Sequence, residues 1–273
     1  MNIKPVSYRS AVLLSSLINK DQRFFEMEDA KAALENSSER AVRELIRGMV
    51  NTGLLLRMKD GLFHIIPYEA DSDSYFPNWH LAAKHLVGER DYYIGYYSAL
   101  QIHELITQPS LVEQIVVNEQ HRPSKMTVRE VNFQFIYHKE NRFFGFKKTW
   151  IDDFNRVMVS DVEKTLLDCL YKPEYGNGIV EITKAIYKAK EQINYDRLLE
   201  YIELFPAQSV LKRLGFLLEG FEMNAEFVEL LQSKISKSYT VLDSSLPKGG
   251  KHLSKWKLRL NLDPSTIFNA ITS

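Results

Sequence analysis

Between Phe24 and Pro67 the chain runs through a strand pattern, two helix patterns and a hairpin pattern, separated only by short polar turns. Phe25-Glu26-Met27 alternates like a short strand. Asp29 to Glu35, with Ala30, Ala33 and Leu34 on one side, reads as a short helix, and Asn36 and Ser37 form a tight turn after it. Asn36 followed three residues later by Glu39 is a capping-box pattern and predicts a new helix start. Gly53 stands where a left-handed residue would end that helix. Inside it, Val42, Leu45, Ile46 and Met49 recur at helical spacing and define a buried stripe. At about 100° per residue, Arg40, Arg43 and Arg47 share an arc of roughly 60° on the far side, with Glu44 and Asn51. Upstream, Ser10 to Asn19 carries Ala11, Leu14, Leu17 and Ile18 at helical spacing, which predicts a first helix.

Asp60-Gly61 lies between two strand-like runs and is a two-residue hairpin signal. With those residues as the turn, Lys59 pairs with Leu62, Met58 with Phe63, Arg57 with His64 and Leu56 with Ile65. Leu56, Met58, Phe63 and Ile65 then form an apolar face, and Arg57, Lys59 and His64 a basic one. Helix, turn, helix and basic hairpin in this order predict a winged helix-turn-helix. Arginine on the second helix suits such a module, because its planar fork bonds guanine O6 and N7 or clamps a phosphate. The expected DNA-binding residues are Arg40, Arg43 and Arg47 in the major groove, Ser38 near a phosphate at the helix start, and Arg57 and Lys59 along the adjacent backbone. The competing reading is a solvated helix face, since Arg40 and Arg47 stand four and three residues from Glu44. A protein-binding use of the same module is a further alternative. Residues 1–67 hold ten Lys and Arg against eight Asp and Glu, an excess of only +2, so placement rather than quantity of charge carries the expectation.

The whole chain has 273 residues, enough for two modest domains, with 35 basic and 35 acidic residues and no net charge. That balance excludes a grossly basic nucleic-acid coat but not a local DNA site. Cys169 is the only cysteine, so neither an intrachain disulfide nor a thiolate-rich metal site is expected, and a reducing cytoplasm fits. No signal peptide and no run of about 20 apolar residues is visible, so no membrane partner is expected. The expected organisation is a DNA-binding domain over 1–67, a polar linker over 68–77 and a larger mixed α+β domain over 78–273. There, helices are predicted from Trp79 to Leu86 and from about Tyr97 to Ile106. Tyr92–Gly95, before the second of these, reads as a short strand or turn. Strands follow over Val112–Asn118, Val128–Tyr137, Phe143–Ile151 and, more weakly, Val157–Ser160, then five helices between Val162 and Ser233, and strands over Tyr239–Leu242 and Trp256–Leu262. Strands first and helices later predict segregated α+β architecture.

No phosphate-cradling glycine loop or His-Glu-x-x-His occurs, and no cofactor or metal is expected. Asp152, Asp153, Asp161 and Glu163 with Lys164 leave open a metal-dependent nuclease targeted by the N-terminal module, although Asp161-Val162-Glu163 also reads as an acidic helix start. Lys212, Arg213, Lys255, Lys257 and Arg259 form a possible patch for a partner or nucleic acid, the last three alternating along one side of an expected strand.

Three segments carry a family resemblance: Tyr92-Tyr93-Ile94-Gly95-Tyr96-Tyr97-Ser98-Ala99-Leu100-Gln101-Ile102-His103, Val159-Ser160-Asp161-Val162-Glu163-Lys164-Thr165-Leu166-Leu167-Asp168, and Arg213-Leu214-Gly215-Phe216-Leu217-Leu218-Glu219. With the N-terminal pattern, the chain resembles the AbiE-type antitoxin regulators of bacterial type IV toxin-antitoxin and phage-resistance (abortive-infection) operons over about Ser7 to Glu219. The resemblance implies a non-enzymatic, DNA-binding autorepressor acting at inverted repeats. It also implies an antitoxin domain that counteracts a co-encoded nucleotidyltransferase-like toxin, with or without direct contact. Glu104 departs from the family, which often has glycine there, so this helix is expected to end later. A ligand-sensing transcriptional regulator is the remaining alternative.

Overall fold

The computed structural model describes residues 4–271; residues 1–3 and 272–273 of the two expected domains lie outside it. The chain is mixed α+β and divides into two compact units, residues 1–89 with 128–130, and residues 90–127 with 131–273.

In the first unit, α1 (Tyr8–Ile18) begins at Ser7, whose hydroxyl accepts from the Ser10 amide at 3.1 Å. Next come β1 (Phe24–Glu26), α2 (Met27–Ala33) and α3 (Glu39–Asn51). The α3 cap is Ser38, accepting from Ala41 N at 3.3 Å, so the helix starts two residues beyond the expected Asn36 cap. Serine caps as well as asparagine does, and Asn36 stays in the turn. Gly53, at φ 72°, ends α3 as expected. The amides of Gly53 and Leu54 return to the carbonyls of Val50 and Met49, a Schellman closure. Strands β2 (Leu55–Lys59) and β3 (Leu62–Ile65) complete an antiparallel sheet of order β1-β3-β2. Val42, Ile46 and Met49 of α3 pack with Leu55, Phe63 and Ile65 in one core, and Leu45 is half-buried at its edge.

The hairpin register departs from expectation in one respect. Lys59 pairs with Leu62, but a bulge between Arg57 and Lys59 pairs Arg57 with Phe63 and Leu56 with His64. A one-residue slip exchanges the faces of a strand. Arg57 therefore lies on the helix-facing side with Leu55. His64 is buried on the opposite side, not solvated beside Arg57.

That opposite side is covered by residues 68–77 and by α4 (Trp79–Val87). The His64 and Tyr75 rings stack, with His64 Nε2 3.1 Å from the Tyr75 hydroxyl, and the His85 ring stacks on Phe24 at 4.2 Å. Lys4 Nζ donates to the carbonyls of Pro67 and Ala70, both at 2.8 Å. These contacts explain why the first unit runs to residue 89, whereas composition suggested a linker at 68–77.

The second unit opens with β4 (Tyr92–Ile94), α5 (Tyr96–Ile102), β5 (Val112–Val117), β6 (Lys125–Val128) and β7 (Val131–Tyr137). β8 (Phe146–Trp150) and β9 (Arg156–Ser160) follow. The six strands form one sheet of order β6-β7-β5-β4-β9-β8, with β4–β9 and β5–β7 parallel and β4–β5 and β8–β9 antiparallel. The strand expected over Val128–Tyr137 thus begins only at Val131, after a turn at Arg129, which has φ 53°, and β6 before it was not expected. Five helices come next: α6 (Val162–Tyr171), α7 (Gly178–Lys188), α8 (Tyr195–Leu204), α9 (Gln208–Gly220) and α10 (Ala225–Lys234). A small sheet of β10 (Thr240–Val241), β11 (Lys251–Leu253) and β12 (Leu258–Leu260), and then α11 (Pro264–Asn269), finish the chain. One core joins Tyr93, Val116 and Ile136 of the large sheet to apolar residues of α5–α10 and to Leu242, Trp256 and Leu258. Among the described residues, no helix is long and apolar enough to cross a membrane.

Candidate nucleic-acid interface

The three arginines of α3 are exposed. Arg40 Nε bonds Glu44 at 3.0 Å and Arg43 bonds Glu39 at 2.6 Å, both pairs one helical turn apart. Their guanidinium-bearing side chains retain 89% and 66% exposure, respectively. Arg47 is exposed and makes no ion pair among the described residues. Exposed pairs at this spacing are worth only about 0.3–0.5 kcal/mol, whereas a bidentate arginine–guanine contact discriminates by about 1–3 kcal/mol. Glu39 and Glu44 therefore hold the arginines loosely and do not compete with a base or phosphate. The solvated-face reading accounts for two of the three arginines, and Arg47 is left over.

Because the β2 bulge turns Arg57 toward the helices, it meets α3 across a groove of ≈ 510 Å³. Arg43, Arg47 and Asn51 line one wall, Arg57 and the Asp60-Gly61 turn the other, and Met27, Ile46 and Phe63 the floor. Arg57 is paired with Asp60 across the turn and keeps more than half of its side chain exposed. Ser38 serves α3 as its cap, with its hydroxyl hydrogen still available to a phosphate.

Lys59 does not belong to this groove. Its Nζ donates to the Leu86 carbonyl at 2.8 Å, so a cation sits at the C-terminus of α4, where the helix dipole favours it. Its expected place along a DNA backbone is thereby corrected.

The expected patch in the second unit is corrected for Lys212 and Arg213. Lys212 is fully buried and donates to Ser236 Oγ at 3.1 Å and to the Ser238 carbonyl at 2.5 Å. Arg213, also buried, donates to the carbonyls of Leu170, Val241 and Leu242 at 2.5–2.9 Å, and burial pushes its pKa down to about 10. Both tie α9 to neighbouring backbone instead of facing a partner. Lys255 and Lys257 lie in the turn before β12, not along a strand, and only Arg259 is in β12. Lys255 is paired with Glu219, and Lys257 Nζ stands 5.7 Å from the Tyr239 ring centre.

Three of the carboxylates weighed for metal chemistry, Asp152, Asp161 and Glu163, have structural partners. Asp152 accepts from the amides of Phe154 and Asn155 at 2.9 and 2.7 Å. Asp161 caps α6 through Lys164 N at 2.9 Å, and Glu163 accepts from Asn194 N at 2.7 Å. Among the described residues, no three His, Cys, Asp or Glu side chains are grouped to hold a metal ion.

A buried polar network was not foreseen. The Tyr93 hydroxyl donates to Asp168 Oδ2 at 3.0 Å, so its oxygen accepts from His138 Nδ1–H, also at 3.0 Å. His138 Nε2 is then an acceptor, receiving the Tyr96 hydroxyl at 2.8 Å and lying 3.4 Å from an Arg142 amino group. Burial holds His138 at a pKa of about 4, which keeps it neutral near pH 7. Lys164 Nζ reaches Asp168 Oδ1 at 2.5 Å, and Arg142 stands 3.9 Å from the same oxygen. The Lys164–Asp168 spacing of four was the one signal visible in sequence. His138 and Arg142 come from the β7 region, and only the sheet brings them there.

The crystal structure of the Rv2827c protein from Mycobacterium tuberculosis is similar in fold, with a TM-score of 0.77 and 14% sequence identity, covering 100% of this chain and 97% of that chain. No protein-family model matches the sequence, and no curated protein matches it.

Proposed function

We propose that the N-terminal unit is a winged helix-turn-helix that binds duplex DNA, with α3 entering the major groove and the β2–β3 hairpin as the wing. The observation that carries this reading is the groove in which Arg43, Arg47 and Arg57 converge from two elements. Thirteen residues of α3 span about 20 Å, enough to lie in a major groove. The resemblance to AbiE-type regulators extends the proposal to a cytoplasmic autorepressor that binds inverted repeats in its own operator. It makes the second unit an antitoxin against a co-encoded nucleotidyltransferase-like toxin.

The test is a titration of DNA from upstream of the protein's own reading frame against a scrambled duplex. Arg43→Ala and Arg47→Ala are expected to cost about 1–3 kcal/mol each on the operator and to relax sequence preference. Arg57→Ala is expected to weaken both duplexes alike. Wild-type operator affinity in both α3 variants would sink the assignment. The antitoxin half is tested separately, by growth of cells expressing the neighbouring toxin gene with and without this protein, and failure to restore growth would refute it.

A further inference from the structure

The buried network of the second unit forms part of the wall of an open cavity of ≈ 460 Å³, within the range of about 300–1,000 Å³ usual for small-molecule sites. Tyr96, His138 and Arg142 belong to both. Inside the network two cations, Lys164 and Arg142, face the single carboxylate of Asp168. Asp161, which caps the helix at the Lys164 amide, also acts on Lys164, so Arg142 is the cation of the network that borders the cavity and can meet an anion there. Arg142 is fixed rather than floppy: its Cζ lies 3.9 Å and 4.4 Å from the ring centres of Tyr171 and Phe205, and its buried Nε has no hydrogen-bond partner among the described residues.

The rest of the lining has the same sign. Arg122 and Lys172 add two cations, and no Asp or Glu lines the cavity. Lys172 has a partner in Glu174 at 3.6 Å, but that pair is solvent-exposed and weak. Aromatic rings also line it: His121 stacked on Phe135 at 3.7 Å, Tyr137, and Tyr175 edge-on to Tyr96 at 5.1 Å. Flat rings beside cations, of which Arg142 is held in place, suit a ligand with a planar base and a phosphate.

We propose that this cavity binds a phosphomonoester of mononucleotide size, its phosphate held by Arg122, Arg142 and Lys172 and its base against the aromatic rings. The site lies wholly within the second unit and does not depend on the DNA-binding reading.

Calorimetric titration of the full-length protein, without duplex DNA, tests it. The probes are AMP, adenosine, inorganic phosphate and a 5′-phosphorylated single-stranded oligonucleotide. Saturable binding of AMP is expected, with weaker binding of inorganic phosphate and none of adenosine. The double variant Arg122→Ala/Lys172→Ala alters side chains at the cavity mouth and should melt as the wild type does. It is expected to weaken AMP by about tenfold or more. No saturable AMP binding up to about 10 mM, or unchanged AMP affinity in the double variant, overturns the proposal. An oligonucleotide that binds tightly while AMP does not also overturns it, by making the cavity a strand-end site.

Discussion

Glu104 holds the backbone at φ 58° just past the end of α5. The Glu104 and Leu105 amides return to the carbonyls of Gln101 and Leu100, closing the helix as glycine usually does. The absence of glycine therefore did not lengthen α5, which ends at Ile102; glutamate takes up the left-handed conformation at a cost of about 1–2 kcal/mol. Glu104→Gly is expected to recover about 1 kcal/mol and raise the melting temperature by about 2–4 °C. A scanning-calorimetry trace that shifts downward would contradict this. His64 and His85 illustrate a second residue-scale effect, each held at a pKa of about 4, chiefly by burial. The unfolded chain takes up protons near pH 6.5, while the folded sites resist until about pH 4, so stability is present above 6.5 and is lost as pH falls through that window. The loss is on the order of 2 kcal/mol per histidine. His64→Phe keeps a ring between Phe24 and Tyr75 and is expected to flatten the decline; melting curves at pH 7 and pH 4.5 decide the matter.

Among the elements, α3 and α6 were the most legible, because capping and an apolar stripe are local properties. The Asp60-Gly61 turn was equally plain, yet the bulge two residues earlier was not. A bulge is chosen by what packs on each face of the strand, and here one face is closed by residues 68–87, of which 68–77 look like a linker by composition. The groove was thus legible on its α3 side and misread on its hairpin side, where Arg57 was expected to face away and Lys59 to be free. Burial of Lys212 and Arg213 was hidden for a similar reason, since the oxygens that receive them come largely from 236–242, well along the chain. The same α9 holds Gly215, where a β-carbon would fall 2.1 Å from the Trp256 ring. That ring is fully buried, with its Nε1 donating to Glu219 at 2.7 Å. It has nowhere to move, so Gly215→Ala is expected to destabilise the second unit by about 1–3 kcal/mol. Urea unfolding followed by tryptophan fluorescence reads this directly, and an unchanged midpoint would show the packing to be softer than drawn.

On the scale of the whole molecule, 35 bases and 35 acids cancel, so the proposed attraction to nucleic acid has to be local. If Arg57 neutralises about one phosphate while Arg43 and Arg47 read bases, log K should fall with log salt with a slope of about −1 per bound protomer. A slope near −8 would mean that a much larger surface is engaged than the α3 groove supplies.

The sheathing of the β1–β3 sheet by residues 68–87 has a practical corollary for anyone dissecting the protein. A fragment cut after Pro67 would strip the cover from Leu56, Met58, Leu62 and His64, turning a half-lined sheet into a sticky plate. Carrying the cut to residue 89 retains the covering helix, and comparing recovery of the two fragments in the soluble fraction would reveal where the module truly stops.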